Sequence, residues 1–101
     1  PSCIEEVPHL ITLYQELNPK GLEIIGVAMA YDPPEQVRAM AVQRQIPYPI
    51  VMDRQERIAQ AYDNVRLTPT TVLISPEGQI VQYQLGLLNM PKLRETIRGM
   101  L

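Results

Sequence analysis

The sequence predicts an α/β fold, a mixed sheet with helices packed on both faces. Three observations lead there. Helical and strand periodicities alternate along the chain in the order helix, strand, helix, strand, helix, strand, strand, helix. Residues 22–30 are nearly unbroken apolar with β-branched Ile24, Ile25 and Val27, the pattern of a strand covered on both faces. The last two strands are separated by Ser75-Pro76-Glu77-Gly78, a turn that closes an antiparallel hairpin.

The first element is a helix over about 2–17, because Ile4, Val7, Leu10, Ile11, Tyr14 and Leu17 recur at helical spacing. Pro8 inside it removes one backbone bond and predicts a bend. Asn18-Pro19-Lys20-Gly21 ends the helix, and the strand over 22–30 follows. Asp32-Pro33-Pro34-Glu35 offers an N-cap acceptor, a proline at the first helical position and an early acid. The helix it starts is expected to reach about Arg44 and to bury Val37, Met40 and Ala41.

Tyr48-Pro49-Ile50-Val51-Met52 reads as a short strand, and Asp53 is placed to cap a brief helix with Ile58, Ala59 and Tyr62 inward. Residues 70–75 form a β-branched strand parallel to that over 22–30. Val81, Tyr83 and Leu85 alternate with Gln82 and Gln84 in a strand exposed on one side. Asn89 caps a last helix, with Pro91 near its start and Leu93, Ile97 and Leu101 on the buried side. A chain of βα units that opens on a helix predicts a further strand ahead of Pro1. One long side of the 22–30 strand is then expected to lack its backbone partner.

Composition narrows the class of function. With 101 residues, 46% of them hydrophobic, the chain can bury a single core. It has no Trp or Phe, so Ile, Leu, Val, Met and five Tyr must fill that core. A formal charge of −2 and the lack of any basic stripe argue against nucleic acid as a partner. No apolar run approaches the roughly 18 residues of a membrane span. The single cysteine cannot make an internal disulfide.

That cysteine, Cys3, stands at the start of the first helix in Pro1-Ser2-Cys3. The positive end of the helix dipole and unpaired backbone N–H groups stabilise a thiolate there and favour disulfide exchange. The competing reading of an isolated cysteine is a small buried hydrophobe. Glu6 follows at i+3, on the same helix face, where a carboxylate can exchange a proton with the thiol. Its own competing reading is an ordinary solvated acid of the first turn, as for Glu5. His9, the only histidine, belongs to no metal or triad pattern and is expected at or near the surface. The five Met are scattered core positions, the glycines form no phosphate-cradling loop, and no metal or cofactor is expected.

Read together, Cys3-x-x-Glu6-x-Pro8, Gly21-Leu22-Glu23-Ile24-Ile25-Gly26-Val27, and Leu67-Thr68-Pro69-Thr70-Thr71 with Pro76-Glu77-Gly78 resemble the TlpA-like thiol-disulfide oxidoreductases of the thioredoxin superfamily. The resemblance covers the whole chain. It implies a thioredoxin-like three-layer domain over 1–101, N-terminally incomplete, with a helix-and-strand insertion at about 32–62. It also implies a Cys-Pro-Ser-Cys site whose first cysteine lies ahead of Pro1, with Cys3 as the resolving cysteine and Glu6 as its proton partner. Thr68-Pro69 is by resemblance a cis bond that packs against the disulfide, with Thr68 offering its backbone to an extended peptide.

The function so implied is thiol-disulfide exchange on protein substrates, fed by an upstream thiol electron donor. A monomer is expected, in the bacterial periplasm or on the extracytoplasmic face of the membrane. A membrane anchor outside this chain is compatible with that reading, and the cytoplasm stays open as a location. Two alternatives stand beside it: a redox-inactive thioredoxin-like peptide-binding module, and a peroxiredoxin-like peroxidase.

Overall fold

Leu13 and Leu17 lie one helical turn apart with essentially no exposed surface, and the packing of the first helix is built on them. The structure, a computed structural model, describes residues 2–101. Its elements in chain order are α1 (Ser2–Leu17), a 3-10 turn (Asn18–Lys20), β1 (Gly26–Ala28), α2 (Pro34–Gln43), β2 (Ile50–Met52), α3 (Arg57–Ala61), β3 (Thr70–Ile74), β4 (Ile80–Leu85) and α4 (Met90–Met100). They fall into two compact units. One combines the residues up to Leu22 with Leu67–Leu101, and the other is Glu23–Arg66.

In the first unit, Leu13 and Leu17 of α1 meet Leu93 and Ile97 of α4, with Leu22, Leu73, Leu88 and Met90 packed around them. α1 runs unbroken through Pro8. It ends at Leu17, and the 3-10 turn that follows closes at Gly21, whose φ of 118° is a conformation that a side chain would strain. β3 and β4 pair antiparallel, with Thr70 opposite Leu85, Val72 opposite Tyr83 and a bulge at Leu73/Ile74. Gly78 closes the hairpin at a φ of 89°, and the Ser75 hydroxyl accepts from the Gln79 N–H. At the start of α4 the Asn89 side chain accepts from the Lys92 N–H, as its position predicts.

In the second unit, β1 and β2 pair in parallel, Gly26 opposite Ile50 and Ala28 opposite Met52. One ladder is parallel and the other antiparallel, each of two strands. The strand expected over 22–30 is shorter: only Gly26–Ala28 joins a ladder, because its described partner β2 is itself three residues long. Nor is that strand covered on both faces. Ile25 is 62% exposed and Val27 half-exposed, whereas Ala28 and Met29 are buried.

Three local expectations are corrected. Asp32 does not cap α2; its carboxylate turns back to accept from the Met29 N–H at 2.8 Å, and Pro33 occupies the N-cap position without a side-chain bond. Val37, Met40 and Ala41 are only half-buried, so α2 is a surface helix. Leu101 lies beyond the end of α4 and is half-exposed, because the helix stops at Met100.

Candidate active site

Cys3 sits in the first turn of α1, free and half-buried. Pro1, the first residue of its motif, lies outside the described residues. One turn further along α1, Glu6 is 6% exposed, and its Oε2 accepts from the Leu88 N–H at 2.6 Å. The contact is short, and it gives this buried carboxyl oxygen a backbone donor. The ion pairs among the described residues instead join Glu16 to Arg94 and Arg98. Glu6 is therefore a buried acid held by a backbone donor, unlike its neighbour Glu5, which is exposed.

The Thr68–Pro69 peptide bond is cis. Thr68 and Leu67 are exposed and Pro69 is half-buried, directly ahead of β3. The Thr70 hydroxyl donates to the Leu67 carbonyl at 2.5 Å, folding the turn onto itself. The Pro69 carbonyl accepts from the Gly86 N–H at 2.9 Å, which extends the β3–β4 ladder by one bond. Gly86 and Leu88 thus tie Pro69 and Glu6, 63 positions apart by their numbers, to one short connection between β4 and α4. Sequence reading missed this link. Backbone donors leave no side-chain signature, and only the glycine at 86, with its φ of 84°, hints at a special turn.

Two other residues singled out by the sequence are His9 and Asp53. His9 is exposed on α1. Asp53 is buried, and accepts from Ile58 N–H at 3.0 Å and from Ala59 N–H at 2.8 Å, so it caps α3 from outside the helix. Among the described residues no group of three His, Cys, Asp or Glu side chains converges as a metal site would require. No helix among them is long and apolar enough to cross a membrane.

Comparison with known proteins gives this arrangement a family. The model of the AhpC/TSA family matches residues 1–83. The chain belongs to the AhpC/TSA family. Within it, the resemblance to TlpA-like enzymes is borne out by relatives named thiol-disulfide oxidoreductase ResA. The protein of Halalkalibacterium halodurans is 37% identical over 86 residues, 85% of this chain and 48% of that protein. That of Bacillus subtilis is 31% identical over 84 residues, 83% of this chain and 46% of that protein. The AhpC/TSA chain thus spans about half the length of the curated relatives it matches.

Solved structures agree on the fold. The solution structure of a Neisseria meningitidis protein, provisionally assigned as a thioredoxin, superposes with a TM-score of 0.92 at 28% identity. It is matched over 99% of this chain and 66% of that one. StoA of Bacillus subtilis superposes at 0.80 with 21% identity, over 94% of this chain and 72% of its own, a likeness of fold. The fold is thioredoxin-like, as the sequence predicts.

Proposed function

We propose that the chain carries out thiol-disulfide exchange on protein substrates, with Cys3 as the reacting sulfur. The observation that carries this reading is the position of a lone free cysteine in the first turn of a 16-residue helix, one turn from a buried carboxylate. The thiolate is the form of cysteine that attacks a disulfide, and helix N-termini are a common setting for reactive cysteines. The ResA relatives support the same chemistry by name. In the step proposed, the Cys3 thiolate attacks one sulfur of a mixed disulfide, forms a new S–S bond and releases the other sulfur as a thiolate. As resolving cysteine it would act on a disulfide formed by a partner cysteine, since this chain contains no second one.

Glu6 is proposed as the group that exchanges a proton with the thiol, and Thr68 and Pro69 as the peptide-docking turn. Exposure of Leu67 and Thr68 supports docking there. The partners on this reading are protein dithiols or disulfides and a thiol electron donor, met by a monomer on the extracytoplasmic side of a bacterial membrane. The test uses the chain itself: the reduced protein is mixed with a peptide disulfide, and the mixed disulfide at Cys3 is followed by mass spectrometry. Adduct formation that saturates with peptide and disappears in Cys3→Ser is expected. Peptide binding without any adduct would replace the reading with a redox-inactive peptide-binding module. Peroxide consumption without disulfide exchange would replace it with a peroxidase.

A further inference from the structure

We propose that Glu6 is a positioning residue as well as a proton partner, and that it works through the backbone of the connection between β4 and α4. The inference rests on the exchange reading above and adds to it. Its basis is a pair of hydrogen bonds on one short segment. Gly86 N–H holds the Pro69 carbonyl at 2.9 Å, and Leu88 N–H holds the Glu6 carboxylate at 2.6 Å. Two residue steps span at most about 7 Å. The turn at Pro69 and the first turns of α1 are therefore clamped to a common strut of three residues.

The strut is itself anchored. Leu88 packs against the core formed by Leu13, Leu17, Leu93 and Ile97, and Asn89 next to it caps α4. Between the two clamped positions, Leu87 is 53% exposed, beside the exposed Leu85 and in the same unit as exposed Leu67. With its side chain packed against the core, Leu88 has its amide aimed at a buried oxygen that no ion pair among the described residues claims. Without Glu6 that donor would be left partly buried and unmet, and the strut would lose its tie to α1. The spacing between Cys3 and the peptide-docking turn would then no longer be held. A docked peptide would feel that loss in its binding, and the chemistry of the sulfur would not.

Proton exchange and positioning make different demands on the side chain, so substitutions separate them. In Glu6→Gln the amide oxygen still accepts from Leu88 N–H, but no proton can be exchanged at neutral pH. In Glu6→Leu both functions are lost. The experiment measures, for each protein, half-saturation by an extended peptide disulfide and the pH profile of Cys3 exchange with a small organic disulfide. Binding of a thioether peptide that cannot exchange is measured beside them by fluorescence anisotropy. Glu6→Gln should alter the pH profile and leave half-saturation within about twofold of the parent. Glu6→Leu should alter the profile equally and weaken peptide binding about tenfold, the scale of one lost hydrogen bond.

A third protein guards against misfolding of Glu6→Leu. Made by chemical ligation, it carries an ester in place of the Leu88 amide, which removes the N–H and keeps Glu6. It should weaken peptide binding as Glu6→Leu does, while Glu6 stays in place as the proton partner. Unchanged peptide binding in both Glu6→Leu and the ester protein would overturn the proposal. If no protein exchanges with any disulfide, the exchange reading fails by itself. The thioether peptide still reports on positioning in that case: equal affinity across all four proteins would overturn it, and the pattern above would support it.

Discussion

Asp53 shows how far one side chain can reach beyond its place in the sequence. It is buried, and its two oxygens meet the N–H groups of Ile58 and Ala59, five and six residues on. Those donors belong to the first turn of α3, where a helix has no internal acceptors to offer. The residue that directly precedes the helix, Glu56, adopts a left-handed φ of 58° and makes no side-chain cap, so Asp53 alone supplies the capping oxygens seen there. Asp53→Ala should therefore destabilise the fold by about 1–3 kcal/mol, because two amides lose their acceptor in a partly buried site. Asp53→Asn keeps one acceptor oxygen and should cost less. Urea denaturation of the three proteins ranks them, and equal stability of Asp53→Ala and the parent would refute this role. The capping function was legible in the sequence. Its burial was not, since a run such as Asp53-Arg54-Gln55-Glu56-Arg57 reads as solvated until something packs over its first residue.

At the scale of elements, α4 is the most predictable and the most cross-linked. Its cap at Asn89, the proline at 91 and the buried pair Leu93 and Ile97 all follow from pattern. Asn89→Ala should cost about 1 kcal/mol, the usual scale for loss of an N-cap, read as a lower midpoint of urea unfolding. What pattern does not disclose is the partner across the helix pair. Arg94 and Arg98, one turn apart on α4, both pair with Glu16 of α1. Partial desolvation opposes ionisation of Glu16. The Arg98 hydrogen bond and the two guanidinium charges outweigh it and hold the carboxyl below its ordinary value of 4.5.

A lowered folded value means that the pairs stabilise the protein above the unfolded value and cease to do so as pH falls through the folded one. Glu16→Gln should lower Tm slightly at pH 7, and the gap to the parent should close as the pH is taken below 4.5. A gap that stayed constant into acid would mean that packing, and not charge, links the helices.

On the strands, pattern misleads in a consistent direction. Val81, Tyr83 and Leu85 alternate with Gln82 and Gln84 as expected, yet the apolar three are exposed and the glutamines half-buried. The register explains the assignment of faces. Thr71 and Leu73 share a face with Gln84 and Gln82, and Leu73 packs against the helical core. Val72 and Thr70 share the other face with Tyr83 and Leu85. Alternation fixes which residues travel together and does not say which set meets the helices.

In the molecule as a whole, Leu13 and Leu17 of the first unit are the largest side chains wholly removed from solvent among the described residues. Leu17→Ala should cost about 2–5 kcal/mol through lost burial and the cavity left behind. On a small domain of ordinary stability that is a large fraction of the total. A loss of this size in urea unfolding would confirm that the α1–α4 core governs folding, and a loss below about 1 kcal/mol would refute it.

The sequence by itself determined the order of elements, the limits of α1, the caps of α3 and α4, the thioredoxin-like fold and the family. Each of these is written in local spacing or in motifs that persist along one segment. Tertiary structure decided which face of β4 is covered, that Asp32 turns away from α2, and that Glu6 is buried against Leu88. Those outcomes depend on which distant backbone atom arrives beside a side chain. A hydrogen bond between positions 6 and 88 costs nothing to the local pattern at either end, so neither end announces it.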